Sequence, residues 1–230
     1  EAQVADTGKI EDLESQVHDL HDIVSKKDDT LKDLKKTIKR LTTEYETLQK
    51  KNVKSQPQPK KKYRTIVIDP PWPIEKIARE ERPNQAEMDY PTMTIEEIMA
   101  LPIEAIADEA GAFLYLWTTQ KFLPDAINIA RAWGFKYQCI MTWVKNVGFT
   151  PYSWMYSTEH VVFARKGSID LLKQGLRLDF NGKVREHSRK PDEFFQRVAE
   201  ASPEPRIDYF SREQRQGFEQ FGNENDKFSN

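Results

Sequence analysis

The chain has 230 residues, of which 38% are hydrophobic, and its 35 basic side chains face 37 acidic ones. A net charge of −2 excludes a uniformly basic nucleic-acid coat and an acidic tail as descriptions of the whole chain. The single cysteine, Cys139, excludes an internal disulfide framework and a multi-cysteine zinc site. No apolar run approaches about 18 residues and none follows Glu1, so we expect neither a membrane span nor a secretion signal.

Charge and aromatic content divide the chain into three segments. Residues 1–49 have a net charge of −4, and residues 50–62 carry six lysines and no acid. Residues 63–230 hold 24 of the 25 aromatic residues, and a segment of this length can bury a substantial core. We therefore predict a coiled coil over 1–49, a basic Pro/Lys linker over 50–62 and a globular domain over 63–230.

The first segment carries a seven-residue apolar repeat. Eleven of its twelve a and d positions are apolar, and no Pro or Gly interrupts residues 9–56. The a positions are Ile10, Val17, Val24, Leu31, Ile38 and Tyr45, and the d positions are Leu13, Leu20, Lys27, Leu34, Leu41 and Leu48. β-Branched residues at a and Leu at d favour a parallel dimer, and Lys27 restricts the register. The alternative is a helix that folds back on the globular domain.

The linker reads KKNVKSQPQPKKK, in which Pro57 and Pro59 prevent a helix and the lysines repel one another. Two interpretations stay open at this point. The lysines could follow a phosphate backbone, or the segment could be a solvated spacer.

Strands and helices alternate along the globular domain. A buried strand is predicted at Arg64–Ile68, and Thr94 with Glu97 forms a capping box for a helix near 95–101. The further predicted elements are a strand at Ala112–Thr118, a helix over 121–133 stopped by Gly134, strands at Lys136–Val144 and Glu159–Arg165, a helix from Lys190, and a last strand at Arg206–Phe210. This alternation predicts an α/β Rossmann-like sandwich with a mostly parallel sheet, whose ligand sites lie at the carboxyl ends of the strands.

Asp69-Pro70-Pro71-Trp72 follows the first strand directly and is the sharpest chemical signal. The two prolines fix φ and remove two backbone donors, which leaves a rigid corner of acceptors beside a carboxylate. Trp72 adds a flat ring for stacking. An exocyclic amine on an aromatic base presents two N–H donors and a π face, so the corner suits such a group.

This corner resembles the Asp-Pro-Pro-Trp signature of the MT-A70 family of adenine-N6 methyltransferases, which use S-adenosylmethionine on RNA or DNA. The resemblance covers Arg64–Glu224, and further segments occur in the family's order. They are Tyr90-Pro91-Thr92-Met93, Phe113–Thr118, Thr142–Lys145, Glu159-His160 with Lys166-Gly167, Lys190–Glu193 and Gly222-Asn223-Glu224. The coiled coil lies outside the resemblance.

The resemblance implies a permuted methyltransferase order, with the main cofactor-binding strand last. The positions it implies for S-adenosylmethionine are Ile68, Asp69, Lys190, Phe210, Arg212, Gln214, Asn223 and Glu224. The chain departs from the family in one stretch, because Glu213-Gln214-Arg215 stands where members often carry Pro-His-Asn.

The resemblance also implies direct methyl transfer to the adenine amine at Asp69, Pro70, Pro71 and Trp72, without a metal. We expect substrate contacts from Tyr90, Trp143, Lys145, Trp154 and Glu159. DNA is the favoured substrate, since the domain resembles compact prokaryotic and phage-type members, with a cytoplasmic location, or a nuclear one in a eukaryote. The alternatives are RNA and an inactive nucleic-acid-binding subunit, and the predicted dimer is a homodimer or a heterodimer with a related subunit.

Several other residues invite a chemical role. For His160 and His187 we expect a structural or substrate-loop role, because no acid–base partner lies at a useful spacing. Cys139, Trp117 and Trp133 are predicted core residues. For Trp143, a core position and a position in the substrate pocket stay open as alternatives. The basic residues Arg177, Lys183, Arg185, Arg189 and Lys190 could contact phosphate or a partner subunit.

Overall fold

The computed structural model describes residues 27–41, 59–73, 92–145, 154–186, 189–222 and 227–228. The chain divides into two compact units, Glu1–Lys51 and Asn52–Asn230. In the first unit, residues 27–41 form helix α1, and the apolar residues Leu31, Leu34, Ile38 and Leu41 are each 50–55% exposed. These four side chains occupy a and d positions of the repeat, so the described helix presents the predicted stripe.

The second unit contains one seven-stranded sheet. Its strands are β1 Thr65–Ile68, β2 Gly111–Thr118, β3 Lys136–Val144, β4 Thr158–Gly167, β5 Asp179–Asn181, β6 Arg206–Tyr209 and β7 Glu219–Phe221. Their order is β5-β3-β4-β2-β1-β6-β7, and β4 runs antiparallel to both of its neighbours. All other pairs are parallel, which confirms the predicted mostly parallel α/β sheet. The carboxyl ends of β1, β2, β3 and β6 therefore share one edge with the start of β4.

Among the described residues of the second unit, four helices pack around this sheet, and local sequence accounts for their ends. They are α2 Ile95–Met99, α3 Ile103–Ile106, α4 Leu123–Ala132 and α5 Asp192–Ala201. Both hydrogen bonds of the predicted capping box are present at Thr94 and Glu97. Gly134 adopts a φ of 79° after α4, as expected for a helix stop.

Two apolar clusters cover the two faces of the sheet, because alternate residues of each strand point to opposite sides. One face carries Ile66, Leu114 and Val162 against α2, α3 and α4. The other carries Val67, Tyr115 and Val161 against α5. β2 is buried along all eight residues, which is typical of a strand covered on both faces.

Three short elements were absent from the sequence prediction. β5 and β7 are edge strands of three residues each, with sequences DFN and EQF, and α3 has four residues. Segments this short and polar show no usable periodicity. The prediction that β6 is the last strand is therefore wrong, because β7 pairs beside it.

The described end of the linker lies against the second unit. Lys61 Nζ is 2.9 Å from Glu219 Oε2, and Lys62 Nζ donates to the Ala105 carbonyl at 2.9 Å. Residues 50–58, including Pro57, lie outside the described residues.

Candidate active site

The Asp-Pro-Pro-Trp corner follows β1 at the centre of the sheet. The Trp72 N–H donates to the Pro70 carbonyl at 2.9 Å, and the Met93 N–H donates to the Pro71 carbonyl at 2.8 Å. These bonds fix the corner from within and tie it to the start of the α2 region. Each carbonyl keeps one lone pair for a second donor, and the Asp69 carboxylate lies beside them.

Trp72 does not offer the open stacking face that its sequence position predicted. Its side chain is only 5% exposed, and its ring stacks on Phe122 with centroids 5.3 Å apart and planes 11° apart. The indole N–H donates to the Trp117 carbonyl at 3.0 Å. The ring therefore packs in the core against Phe122 and supports the corner, instead of offering an open face to a base.

A chain of four charged side chains crosses the site. Lys190 Nζ lies 3.1 Å from Asp69 Oδ2 and 3.1 Å from Glu159 Oε2, and Lys145 Nζ lies 2.9 Å from Glu159 Oε1. Asp69 follows β1, Lys145 follows β3, and Glu159 lies at the start of the antiparallel strand β4. The reversed direction of β4 is what brings Glu159 to the same edge of the sheet.

Burial and charge act together on these groups. Burial raises the pKa of Asp69, and the charges of Lys190 and Arg212 oppose this shift. Burial also acts to raise the pKa of Glu159, but Lys190 and Lys145 outweigh it and lower that pKa to about 2. The two carboxylates likewise overcome the desolvation of Lys190 and raise its pKa. Lys190 is therefore a cation at neutral pH, held 5.0 Å from the centroid of the Trp117 ring.

A pocket opens beside Asp69 on the α5 face of the sheet. It is lined by Asp69, Trp117, Arg189, Lys190, Phe195, Asp208, Phe210, Ser211, Arg212, Glu213, Arg215 and Phe228. Four of the predicted cofactor residues, Asp69, Lys190, Phe210 and Arg212, thus meet in one cavity. They come from the ends of β1 and β6 and from the start of α5.

Sequence reasoning missed Asp208 in this pocket. Asp208 is 6% exposed, and burial raises its pKa to about 7 while Arg215 opposes the shift. Its Oδ2 lies 3.9 Å from Arg215 Nε, and that buried Nε has no hydrogen-bond partner. A carboxylate between Ile207 and Tyr209 in the predicted buried strand RIDYF was the available signal.

The segment after β6 turns sharply into the pocket. Phe210 has a φ of 68°, an uncommon value for a residue with a side chain, and its N–H donates to the Phe221 carbonyl. A Cβ placed on Gly222 would lie 3.0 Å from the Ser211 carbonyl oxygen, so the Gly222 backbone approaches this turn closely. The GN motif therefore begins beside Phe210, although Asn223 and Glu224 lie outside the described residues.

The remaining predicted site residues fall into separate groups. Ile68 belongs to the core with no exposed side chain, and Gln214 is exposed. Trp143 is 3% exposed and its indole N–H donates to the Gly182 carbonyl, so it is a core residue. Trp154 is 89% exposed, as a stacking surface requires. Tyr90 and His187 lie outside the described residues.

Residues with only a structural expectation mostly follow it. His160 Nδ1 lies 3.2 Å from Thr142 Oγ1, and strand alternation directs its ring to the face opposite Glu159. Trp117 and Trp133 are buried, as predicted. Cys139 is only half-buried, because β3 lies near the sheet edge.

The basic stretch before α5 is engaged within the chain. Arg177 pairs with Asp179, Arg185 with Asp192, and Arg189 with Glu213 and Glu186. Lys190 belongs to the charge chain described above. Four of these five residues, for which phosphate or a partner subunit was the expected contact, thus pair with carboxylates of the same chain, and the Arg177–Asp179 pair among them is exposed.

Within the described residues, no three His, Cys, Asp or Glu side chains are grouped to hold a metal ion. In the same part of the chain, every helix is too short or too polar to cross a membrane.

Comparison with known proteins gives relatives of two sizes. The N(6)-adenosine-methyltransferase catalytic subunit METTL3 of Homo sapiens is 29% identical over 161 residues, which cover 66% of this chain and 26% of METTL3. An MT-A70-like N(6)-adenosine-methyltransferase of Drosophila melanogaster is 29% identical over 66% of this chain and 24% of its own length. The type II methyltransferase M.MunI of Mycoplasma sp is 27% identical over 204 residues, which cover 77% of this chain and 87% of M.MunI. The chain thus spans about a quarter of the length of the first two relatives.

The sequence profile of the MT-A70 family matches residues 63–224, more than two thirds of the chain. The matched region contains the Asp69 corner, the charge chain and every lining residue of the pocket except Phe228. The chain therefore belongs to the MT-A70 family.

Proposed function

We propose that the chain transfers a methyl group from S-adenosylmethionine to the N6 amine of adenine in a nucleic acid. The observation that carries the proposal is the position of the Asp69 carboxylate. It precedes two prolines that restrict the backbone, and it lines a pocket at the carboxyl ends of the strands. Family membership and the names of relatives called adenosine methyltransferases support it.

The pocket has groups that match each part of S-adenosylmethionine. Lys190 and Arg212 offer cations for its carboxylate, while Asp208 offers an acceptor for its ammonium or hydroxyl groups. Phe210 adds an apolar surface for its adenine ring. When bound, the cofactor would supply a methyl group activated by a sulfonium, whose sulfur departs readily as a neutral thioether.

Asp69 prepares the amine for attack. Its Oδ2 is held by Lys190, so its Oδ1 can accept one amine hydrogen, and the remaining lone pair of the Pro70 carbonyl can accept the other. Accepting both hydrogens holds the amine so that its nitrogen lone pair, which is perpendicular to the ring plane, faces the methyl group, and it stabilises the positive charge that develops on nitrogen. The methylated nitrogen then loses one of the two hydrogens as a proton. Positioning of this kind contributes roughly 7–11 kcal/mol in favourable cases.

We propose DNA as the substrate. One relative that this chain matches over most of both lengths is a type II methyltransferase, M.MunI. The rings of Trp154 and Tyr156 are 89% and 59% exposed. We propose that bases next to the target adenine stack on these two rings. Base stacking on such rings is worth about 1–3 kcal/mol per base.

The test is transfer of labelled methyl to matched DNA and RNA oligonucleotides, with cofactor calorimetry on each variant. Asp69→Asn should lower transfer by about 10²–10³-fold, the typical cost of one preorganised polar contact. The control Asp179→Asn changes an exposed carboxylate on β5 and should leave transfer unchanged. Cofactor binding without transfer in the native chain would favour an inactive binding subunit, and faster transfer to RNA would reverse the choice of substrate.

We further propose that α1 pairs with a second copy of this chain in parallel. Its exposed Leu31, Leu34, Ile38 and Leu41 form the stripe, which a second stripe would bury. In a parallel homodimer, the g position Lys9 faces the partner's e position Glu14, and no g–e′ pair in the repeat brings like charges together.

Light scattering on the full chain tests this arrangement. Leu34→Asp should dissociate the dimer, because it places a charge in the seam, and Lys36→Asp on the opposite face should not. A native chain that is monomeric at micromolar concentration would contradict the proposal.

A further inference from the structure

Arg215 joins the segment after β6 to the start of α5. Its Nη1 lies 2.6 Å from Asp192 Oδ1, and its Nη2 lies 2.8 Å from Glu213 Oε2 and 3.4 Å from the Lys190 carbonyl. Its guanidinium carbon lies 3.8 Å from the centroid of the Phe195 ring. The side chain is only 10% exposed, so these contacts are shielded from solvent.

A second arginine holds the same two acceptors. Arg185 Nη2 donates to the Lys190 carbonyl at 2.9 Å and to Asp192 Oδ1 at 2.9 Å. The peptide that carries Lys190 is therefore held by two planar guanidinium groups, whose geometry permits several directed bonds at once.

The other end of Lys190 performs the ion pairing described above. Its ammonium must reach Asp69 and Glu159 at the same time, both at 3.1 Å. A shift of about 1 Å at the Lys190 backbone would lengthen at least one of these contacts, and misplacement on this scale can cost about 10²-fold in rate.

We propose that Arg215 is a positioning residue that acts on the site through the Lys190 backbone and Asp192. This inference rests on the proposed function and adds a residue to it.

A double-mutant cycle on the full chain tests the coupling between the two residues. The variants are Arg215→Met, Lys190→Met and the double substitution, with kcat and KM for methyl transfer to an adenine-containing DNA oligonucleotide as the readout. We expect Lys190→Met to lower kcat about 10²-fold and Arg215→Met to lower it about 10-fold. If Arg215 acts through Lys190, the double variant should lie within about 2-fold of Lys190→Met alone. Reductions that multiply would overturn the proposal.

Two further variants separate positioning from general stability. Arg177→Met breaks an exposed ion pair on β5 and should leave kcat unchanged. Arg215→Lys keeps the charge but loses the directed bonds. If Arg215→Met fails to fold, Arg215→Lys should still fold, but it should restore only part of kcat. Full recovery of kcat by the lysine would contradict a role for the guanidinium geometry.

A readout that is independent of methyl transfer keeps the two proposals distinct. The Lys190 side chain is 14% exposed and paired twice, so amine-reactive labelling followed by mass spectrometry should find it protected in the native chain. Arg215→Met should raise its labelling rate several-fold relative to Lys166, which pairs with distant Glu104. An unchanged ratio overturns the positioning role even if transfer is normal, whereas an inactive native chain with the expected ratio contradicts only the proposed function.

Discussion

Replacing Asp208 with Asn should stabilise the protein at alkaline pH and do so in a pH-dependent way. Asp208 is 6% exposed on β6, and its nearest cation, Arg215, lies 3.9 Å away and already pairs with Asp192 and Glu213. The charged carboxylate is therefore poorly compensated, while a neutral amide of the same shape avoids the desolvation cost.

The size of the effect follows from the pKa. Burial raises the pKa of Asp208 from 3.8 to about 7, so between these values the folded protein keeps a proton that the unfolded chain has lost. Unfolding then releases a proton, and the free energy of unfolding falls as pH rises through this window. At about 1.36 kcal/mol per pKa unit, the native chain should lose about 2–3 kcal/mol relative to Asp208→Asn between pH 5 and pH 7.

Urea unfolding of both chains at several pH values measures this difference. Asp170→Asn, a substitution at an exposed position, serves as the control for replacing an Asp with Asn. Glu159 has the opposite sign, since its pKa is lowered to about 2, but it acts below about pH 4.5 and is common to all three chains. A pH-independent difference between Asp208→Asn and the native chain would refute the argument.

Three other changes have defined outcomes. Trp72→Ala should lower the free energy of unfolding by about 3–5 kcal/mol, measured by urea unfolding, because the ring packs on Phe122; a loss below 1 kcal/mol would show that the ring is not part of the core. Gly182→Ala would place a Cβ 2.5 Å from Pro191 Cβ, so it should displace Pro191, which is next to Lys190. We expect the free energy of unfolding to fall by about 1–3 kcal/mol and methyl transfer to slow. Normal methyl transfer at full stability would contradict this packing. Replacing Lys60–Lys62 with Gln should reduce the slope of log affinity against log salt by less than about two, because Lys61 and Lys62 already have internal acceptors, and a larger change would show that all three contact phosphate.

The bounds of several strands and helices were predicted closely, because their sequence signals are local. β3 has the predicted bounds, β1 and β2 differ by one residue at their starts, and α2 begins at its predicted capping box. The Asp69 corner was predicted as a rigid acceptor site because proline restricts the backbone without help from distant residues.

The role of Trp72 could not be predicted in the same way. A tryptophan beside a carboxylate suits either base stacking or core packing, and only the position of Phe122 decides between them. The charge chain shows the same limit, since Glu159 and Lys190 are 31 residues apart and meet through the reversed direction of β4.

The sequence by itself determined the family, the order of the longer strands and helices, and the carboxylate corner, because these depend on residue type and on short spacings. The tertiary structure decided which charges meet. It paired Lys190 with two carboxylates, left Asp208 poorly compensated, and paired Arg185 and Arg189 with carboxylates of the same chain. The physical reason is that ion pairing and burial depend on distances across the sheet, which local sequence does not encode.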